Sequence, residues 1–131
     1  MENVICISPI GTASAAYNDA RPGRMFSFTL VNTKKVVIKP GQQVKLDLYV
    51  TVSCESSVTG TDAFFLIQNE AMTRTPIRLA QQCCPVYRPR HVRIVVDNIG
   101  KVPYTLDEHY GVIDVVMPNL TPFMVVMQPS H

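Results

Sequence analysis

A strict alternation of apolar and other residues is the feature that most constrains how this chain can fold. In residues 91–97, Val92, Ile94 and Val96 fall on one face of an extended strand, and the residues between them fall on the other. Residues 43–54 alternate in the same way over a longer span. The side chains predicted to share one face there are Val44, Leu46, Leu48, Val50 and Val52, opposite Lys45, Asp47, Tyr49 and Thr51. A period of two with many β-branched residues predicts strands rather than helices, so we expect an all-β core.

Further apolar runs of strand length recur along the chain. They cover residues 4–8, 25–32, 34–39, 63–68, 103–106, 111–117 and 123–127. Phe26, Phe28 and Leu30 are predicted to share one face, and Ile77 and Leu79 are predicted to point inward within a segment that prolines divide. About ten short strands, with no predicted helix, are typical of a barrel or sandwich.

The domain organisation follows from the length of the chain and from its turn residues. At 131 residues we expect one domain over 1–131. Small, polar and turn-forming residues predict a loop or arm at 11–24, and a polar turn is predicted at 97–100. Residues 118–131 are predicted to form a turn, a final strand and a tail.

The composition is apolar for a chain with so much surface to cover. Hydrophobic residues make up 47% and charged residues 17%. Either a heavily buried barrel accounts for this, or identical subunits or another protein cover part of the apolar surface. We favour the second interpretation and expect the final strand to take part, since chain ends are easily repositioned. The predicted interface residues are Phe123, Met124, Val125, Val126, Met127, Arg88 and Arg90.

The charge pattern argues against nucleic acid as a partner. The formal net charge is +2, aromatic residues make up 8%, and there is no Trp. The densest basic patch is Arg88, Arg90, His91 and Arg93, and Pro89 interrupts it. A nucleic-acid site calls for a basic stripe with stacking aromatics. We therefore predict that these arginines form a solvated strand face or line a subunit contact or an acidic partner.

No cofactor, metal or membrane is expected from the residues. The N-terminus lacks a basic start and a long apolar core, and no apolar run approaches the ~18 residues that a membrane span requires. We expect the protein to act inside a cell, with its four cysteines as core thiols. The neighbours Cys83 and Cys84 are a poor metal clamp because adjacent strand side chains point to opposite faces.

Candidate acid–base groups are few. Asp97 and Asp114 sit at strand ends, and Asp107 and Glu108 lie in a charged turn. Acid–base catalysis needs positioned groups, so an enzymatic use of these carboxylates is the less favoured interpretation. His91 and His109 are predicted to be surface or packing residues rather than ligands.

Three stretches, taken in order, resemble the trimeric dUTP pyrophosphatases (dUTPases) and their non-enzymatic viral relatives. Phe28-Thr29-Leu30 followed by VNTKKVVIKPG is similar to that family's Tyr-Asp-Leu segment, spacer and Pro-Gly turn. YRPRHVRIVVDN is similar to its Tyr-Arg-Gly strand, and YTLDEHYGVIDVVM falls where the family has its Gly-Asp-Arg-Ile-Ala-Gln motif. The resemblance covers residues 26–117 and implies an all-β, dUTPase-like (β-clip or jelly-roll-like) barrel that forms a homotrimer.

The departures from that pattern fall on the residues that the family uses for chemistry. Thr29 stands where the resemblance implies a carboxylate, and Asn69-Glu70-Ala71 stands where it implies a phosphate-binding Arg-Ser-Gly. A negative charge there repels a triphosphate. The hairpin motif is replaced around residues 83–86, the fourth motif reads HYGVID at 109–114, and no Gly-rich arm is expected after the last strand.

The resemblance therefore implies a catalytically inactive viral protein, in the style of the dUTPase-like proteins of adenoviruses from early region 4 and the left genome end. We expect no cofactor and a role in protein–protein interaction, either as a structural or decorating component that contacts capsid proteins, or as an adaptor that binds a host protein. The expected location is the virion or the interior of the host cell. The alternative is an active dUTP nucleotidohydrolase with diverged motifs. The tail, 128–131, does not match the C-terminal motif of the relatives that bind PDZ domains.

Overall fold

The computed structural model describes residues 3–11, 17, 24–55, 64–80, 83–86 and 89–128 of the chain. Within them lie twelve strands, so the prediction of an all-β chain is confirmed. The strands are β1 (Asn3–Pro9), β2 (Arg24–Met25), β3 (Phe28–Val31), β4 (Val36–Ile38), β5 (Gln43–Glu55), β6 (Phe64–Gln68), β7 (Ile77–Leu79), β8 (Cys83–Val86), β9 (Arg90–Asn98), β10 (Tyr104–Leu106), β11 (Gly111–Val116) and β12 (Phe123–Met127). Two 3₁₀ helices that the sequence did not predict, Glu70–Arg74 and Pro118–Leu120, precede β7 and β12.

The strands form two larger sheets and one small one. The first has the order β2-β12-β1-β5-β9-β7, the second has the order β3-β11-β6-β8, and β10 pairs with β4 alone. The β1–β12 pair is parallel and joins the two ends of the chain, with Ile5 opposite Val125. The inner faces of both large sheets contribute to one hydrophobic core, which includes Ile7 and Val92 from the first and Phe64 from the second.

The two alternating segments form the longest strands and pair with each other. β5 and β9 are antiparallel, with Leu46 opposite Ile94. Their predicted inward residues are buried, and only Val44, near the start of β5, is half-buried. The register shifts between Asp47 and Thr51, where Tyr49 adopts a φ of 50°. The side chain of Asp47 accepts a hydrogen bond of 2.7 Å from the Tyr49 backbone N–H, which helps to hold this bulge.

The predicted polar turn at 97–100 begins later than expected, because β9 continues through Asn98. Asn98 keeps the inward direction of Val96 and is 2% exposed. Its Nδ2 donates to the backbone carbonyls of Ile38 at 2.8 Å and Val102 at 2.9 Å, and its Oδ1 accepts from the Gly100 N–H at 2.8 Å. A buried amide is stable here because its hydrogen bonds are satisfied by the backbone.

A second buried asparagine, Asn32, stabilises the turns on the other side of the small sheet. Asn32 is 2% exposed, and its Nδ2 donates to the carbonyl of Lys34 at 2.7 Å and to that of Asp107 at 3.1 Å. Its backbone N–H donates to the carbonyl of Tyr110 at 2.9 Å. The turns before β4 and after β10 are thus fixed to the end of β3.

The prediction for residues 25–32 is correct for two of its three inward side chains. Phe28 and Leu30 are buried, but Phe26 is 64% exposed, because the segment breaks into β2 and β3 and Phe26 lies between them. The predicted arm at 11–24 falls largely outside the described residues. Tyr17, within it, is buried and packs on Phe28 with ring centroids 6.1 Å apart. Its hydroxyl accepts a hydrogen bond of 3.1 Å from the backbone N–H of Val31, on the sheet-edge strand β3.

In the parts of the chain that the structure describes, no helix has both the length and the apolar character needed to cross a bilayer.

Candidate functional site

Three polar side chains meet on the outer face of the second sheet. Thr29 comes from β3, Asp114 comes from the adjacent β11, and Asn69 follows directly after β6 on the other side of β11. Thr29 and Asp114 are opposite each other in the antiparallel register. Directly opposed side chains lie on the same face of a sheet, so the strand pairing itself brings the two together.

Asp114 is the acceptor at the centre of this cluster. Its Oδ1 accepts a hydrogen bond of 2.7 Å from the Thr29 hydroxyl and one of 2.8 Å from Asn69 Nδ2. Asn69 Oδ1 in turn accepts from the backbone N–H of Ala71 at 2.8 Å and caps the first 3₁₀ helix. The amide is therefore oriented by the helix start, with its donor side directed at the carboxylate.

Gly111 makes room for the cluster. A Cβ atom at this position would lie 2.8 Å from Thr29 Cγ2, which is closer than packed carbon atoms approach. The register of β11 against β3 also shifts between Gly111 and Ile113. The absence of a side chain at Gly111 allows Thr29 to keep the rotamer that reaches Asp114.

The chemistry available to this cluster is limited. Asp114 supplies its one carboxylate, while Thr29 and Asn69 use donor groups to hold it. Glu70, in the first turn of the neighbouring 3₁₀ helix, is exposed and adds negative charge close by. Among the described residues, no group of three or more His, Cys, Asp and Glu side chains is placed to hold a metal ion.

The other candidate carboxylates do not join Asp114. Asp97 lies on β9 in the first sheet, whereas Asp114 lies on β11 in the second. Asp97 Oδ1 is buried without a hydrogen-bond partner. Asp107 and Glu108 are exposed in the turn after β10.

A second polar cluster, which the sequence did not predict, surrounds Asp47 on the outer face of the first sheet. Asp47 Oδ1 lies 2.7 Å from His91 Nε2, and Asp47 Oδ2 lies 3.3 Å from Arg93 Nε. Burial raises the pKa of Asp47, but the hydrogen bonds from His91 and the Tyr49 N–H, with the nearby Arg93 charge, outweigh it. The pKa of this carboxyl consequently lies below its ordinary value. His91 is thus the partner of a carboxylate on the outer face of this sheet.

The predicted interface residues fall into two groups. Phe123 and Val125 are 0% and 1% exposed within the single chain, because they face the core, so their side chains have no surface to offer a neighbour. Met124 and Met127 are half-buried and Val126 is 40% exposed. Arg90 is half-buried at the start of β9, and Arg88 lies outside the described residues. Met127 lies on the same inward face of β12 as Phe123 and Val125 and packs partly against the core. Met124, Val126 and Arg90 keep exposed surface for a contact, and Arg88 stays a prediction.

Solved structures that share this architecture include several dUTPases. The dUTPase from phage phi11 of S. aureus aligns with a TM-score of 0.64 at 11% identity, over 97% of this chain and 94% of that one. The chain has the dUTPase-like fold. The dUTPase of Staphylococcus bacteriophage 80alpha aligns with a TM-score of 0.62 at 10% identity, over 97% of this chain and 93% of that one. The EIAV dUTPase aligns with a TM-score of 0.55 at 13% identity, over 82% and 84%.

The likeness to dUTPases is one of structure. No protein-family model matches the chain, and no curated protein matches its sequence. In the dUTPase-like fold, Thr29, Asn69 and Asp114 form one cluster, and each comes from a different stretch where the sequence departs from the family pattern. The separate sequence motifs did not predict that these residues would touch one another.

Proposed function

We propose that this chain is a non-enzymatic viral protein that uses a dUTPase-like scaffold, assembled as a homotrimer, for protein–protein interaction. The observation that carries the proposal is the hydrogen bond between Thr29 and Asp114. Thr29 stands where the resemblance implies a carboxylate for hydrolysis, and its hydroxyl donates to Asp114 at 2.7 Å.

The electrostatics of the cluster also support a role without hydrolysis. Transition states of phosphoryl transfer are stabilised by cationic groups and donors aimed at the developing negative charge. The donors of Thr29 and Asn69 are aimed at Asp114 instead. Glu70 adds a second negative charge at the place where the resemblance implies a phosphate-binding arginine and serine.

The homotrimer is supported by the outward faces of β1 and β12. These neighbouring strands contain no charged residue. Val126 is 40% exposed in the single chain, and Met124, on the same outward face, is half-buried. Core regions of subunit interfaces are depleted of charge, so this neutral surface suits a contact between copies.

Two settings for the interaction follow from the resemblance to adenoviral dUTPase-like proteins: a component of the virus particle that contacts capsid proteins, or an adaptor that binds a host protein inside the cell. The dUTPase of Staphylococcus bacteriophage 80alpha supports a regulatory use of such a scaffold, since phage dUTPases control transfer of virulence genes by a proto-oncogenic G protein-like mechanism. Abundance in purified particles selects the first setting, and recovery with a host protein from infected cells selects the second.

The decisive experiment is incubation of the purified chain with dUTP and Mg²⁺, with release of pyrophosphate as the readout. We expect no release above the uncatalysed rate. The Asp114→Asn variant is the matched control, because it removes the one carboxylate of the cluster and retains its shape. Hydrolysis by the natural chain that disappears in Asp114→Asn would establish the alternative, an active dUTP nucleotidohydrolase.

Light scattering tests the assembly. A trimer of the 14.6 kDa chain has three times that mass. A chain that stays monomeric at high concentration would contradict the trimer. It would also remove subunit contacts as the explanation for the high hydrophobic content.

A further inference from the structure

All five lysines of the chain fall in two short segments, residues 34–45 and 99–105. They are Lys34, Lys35, Lys39, Lys45 and Lys101. Neither segment contains Arg, Asp or Glu, and each of the five lysines is exposed. We call residues 34–45 and 99–105 together the lysine surface. Its formal charge is entirely positive, in a chain whose net charge is only +2.

Backbone pairing and one buried amide hold the two segments of the lysine surface side by side. The first contains β4 and the second contains most of β10, and these strands pair with Val37 opposite Thr105. Asn98, directly before the second segment, donates from Nδ2 to the carbonyl of Ile38 at 2.8 Å and to that of Val102 at 2.9 Å. The lysines of both segments therefore contribute to one surface.

Three aliphatic residues are exposed among these lysines. Val37 is 54% exposed, Ile99 is 65% exposed and Val102 is 67% exposed. A lysine directly precedes Val102, and lysines lie two positions before and two positions after Val37. Exposed apolar groups that are surrounded by charged residues mark surfaces that bind a partner.

Most of the positive charge on this surface is available to a partner. Lys39, Lys45 and Lys101 form no ion pair within the described residues. Lys34 is held by an aromatic side chain instead, with its Nζ 3.2 Å from the Tyr49 hydroxyl and 4.9 Å from the centre of that ring. These contacts leave the charge of Lys34 uncompensated by a carboxylate.

The acidic residues that border the lysine surface reduce its charge little. Asp97 precedes the second segment by two positions, and its Oδ1 is buried. Asp107 is exposed two positions after that segment. It lies one position beyond the last β4–β10 pair, on the side of Lys35, so its carboxylate compensates that end of the surface and leaves the turns at residues 39–42 and 99–103 positive.

The residue types of the lysine surface distinguish among anionic partners. Protein interfaces are enriched in arginine and aromatic residues and depleted of lysine, and sites for single-stranded nucleic acid add stacking aromatics. The two segments contain no arginine, and their one aromatic residue, Tyr104, is half-buried. Binding to an anionic membrane surface instead increases with the apolar area that enters the headgroup region and with the number of basic side chains beside it. Lysine suits this position because its stem covers apolar surface while its ammonium group stays in water.

We propose that the lysine surface binds the face of an anionic membrane, with Val37, Ile99 and Val102 inserted among the lipid headgroups and the lysines against the acidic lipids. This contact needs no spanning segment. It differs from the expectation that no membrane is a partner, because that expectation rested on the absence of a long apolar run. The inference goes beyond the proposed function and uses neither the Asp114 cluster nor β12.

The test is co-sedimentation of the full chain with vesicles of phosphatidylcholine that contain about one-third phosphatidylserine, at about 0.15 M salt. We expect saturable binding, and at least tenfold weaker binding to vesicles of phosphatidylcholine alone. Binding should also weaken at about 1 M salt, where the screening length falls to about 3 Å. No binding to the phosphatidylserine vesicles, or equal binding to both kinds of vesicle, would overturn the proposal.

One variant tests the aliphatic side chains. Val37→Thr, Ile99→Thr and Val102→Thr together keep β-branched side chains but make the inserted groups polar, and we expect at least tenfold weaker binding. Phe26→Thr is the matched control, because Phe26 is 64% exposed between β2 and β3, outside the lysine surface. It should bind as the natural chain does. Unchanged binding by the threonine variant would refute the insertion of these side chains.

A second variant tests the lysines and does not change any apolar residue. Lys39→Gln with Lys101→Gln removes two charges from exposed positions, and we expect at least tenfold weaker binding to the phosphatidylserine vesicles. Arg24→Gln with Arg74→Gln removes the same charge at two exposed positions elsewhere and should have less than a threefold effect. Circular dichroism verifies that each variant is folded. Equal effects of the two pairs would show that net charge alone attracts the chain and would refute the site.

Three further outcomes separate the membrane site from other roles of this surface. Soluble poly-glutamate that binds the natural chain and the threonine variant equally, and more tightly than vesicles do, would assign the surface to an acidic protein and overturn the proposal. Loss of the trimer in the threonine variant would assign it to a contact between copies and would also overturn it. Hydrolysis of dUTP would refute the proposed function, whereas absence of vesicle binding would refute only the membrane site.

Discussion

Replacement of Asn98 by alanine should destabilise the chain far more than its position beside a polar turn suggests. The side chain makes three hydrogen bonds to backbone groups, at 2.8 to 2.9 Å, and connects the end of β9 to β4 and to the following turn. Each hydrogen bond contributes about 1 kcal/mol net, so their loss should cost about 3 kcal/mol. That is a large part of the roughly 5–15 kcal/mol by which domains are stable.

The assay is urea denaturation followed by far-UV circular dichroism at one fixed protein concentration. With an m-value of about 2 kcal/mol/M, a loss of about 3 kcal/mol lowers the midpoint by about 1.5 M. Gln42→Ala is the matched control, because Gln42 also bonds to the backbone, accepting from the N–H of Lys39 at 2.9 Å, but does so at the surface. We expect that control to cost less than about 0.5 kcal/mol.

A second variant, Asn98→Asp, tests whether the direction of these hydrogen bonds matters. It keeps the shape of the side chain but replaces the donating amide with a carboxylate oxygen that faces the carbonyls of Ile38 and Val102. Since these groups repel one another in a buried site, this variant should be less stable than Asn98→Ala at neutral pH. The reasoning is refuted if Asn98→Ala lies within about 1 kcal/mol of the natural chain, or no lower than Gln42→Ala.

Three further predictions concern the contact surface, the Asp47 cluster and the Asp114 cluster. Val126→Asp should dissociate the proposed trimer without loss of β structure, whereas Val125→Asp, at a residue only 1% exposed, should unfold the subunit. Light scattering and circular dichroism separate the two outcomes, and an intact Val126→Asp trimer would count against a contact at β12. Because the folded-state pKa of Asp47 is lowered, its stabilisation is fully present above the unfolded pKa and is lost as pH falls through the folded pKa. Asp47→Asn should therefore lower the free energy of unfolding at pH 7 and make it fall less steeply as the pH decreases. Parallel curves of unfolding free energy against pH for the natural chain and the variant would contradict this. Gly111→Ala should destabilise the chain by about 1–3 kcal/mol, because the added methyl would contact Thr29 Cγ2. Adding Thr29→Ser to that variant deletes Cγ2 and should recover most of the lost free energy of unfolding, measured by urea titration. No recovery would show that this contact is not the cause.

The sequence predicted those parts of the fold that depend on local alternation. The inward faces of β5 and β9 and the inward direction of Ile77 and Leu79 follow from a period of two, which each strand carries by itself. The bounds of β12 also match the predicted 123–127. Pairing order is different, because the contact of β1 with β12 depends on residues more than a hundred positions apart. Nothing in either strand alone encodes that partner.

The alternation of the sequence also predicts that two asparagines point inward, although the sequence analysis did not draw that conclusion. Asn98 continues the inward series of Val92, Ile94 and Val96, and Asn32 continues that of Phe28 and Leu30. A polar residue on the inward face is expected to have buried partners. Its inward position was therefore predictable, but the partners, which lie on β4 and in neighbouring turns, were not.

The same alternation explains how the dUTPase-like fold can persist while its outer residues change. On β3 and β11, Leu30 and Ile113 face the shared core, whereas Thr29 and Asp114 face outward and bond to each other. Core packing depends on the inward side chains, and replacing the outward ones leaves that packing intact. A fold aligned to phage phi11 dUTPase at 11% identity can accordingly keep its inward pattern while outward positions such as Thr29 and Asp114 change. For this reason the inward residues identify the scaffold, while the function must be tested at the outward cluster of Thr29, Asn69 and Asp114.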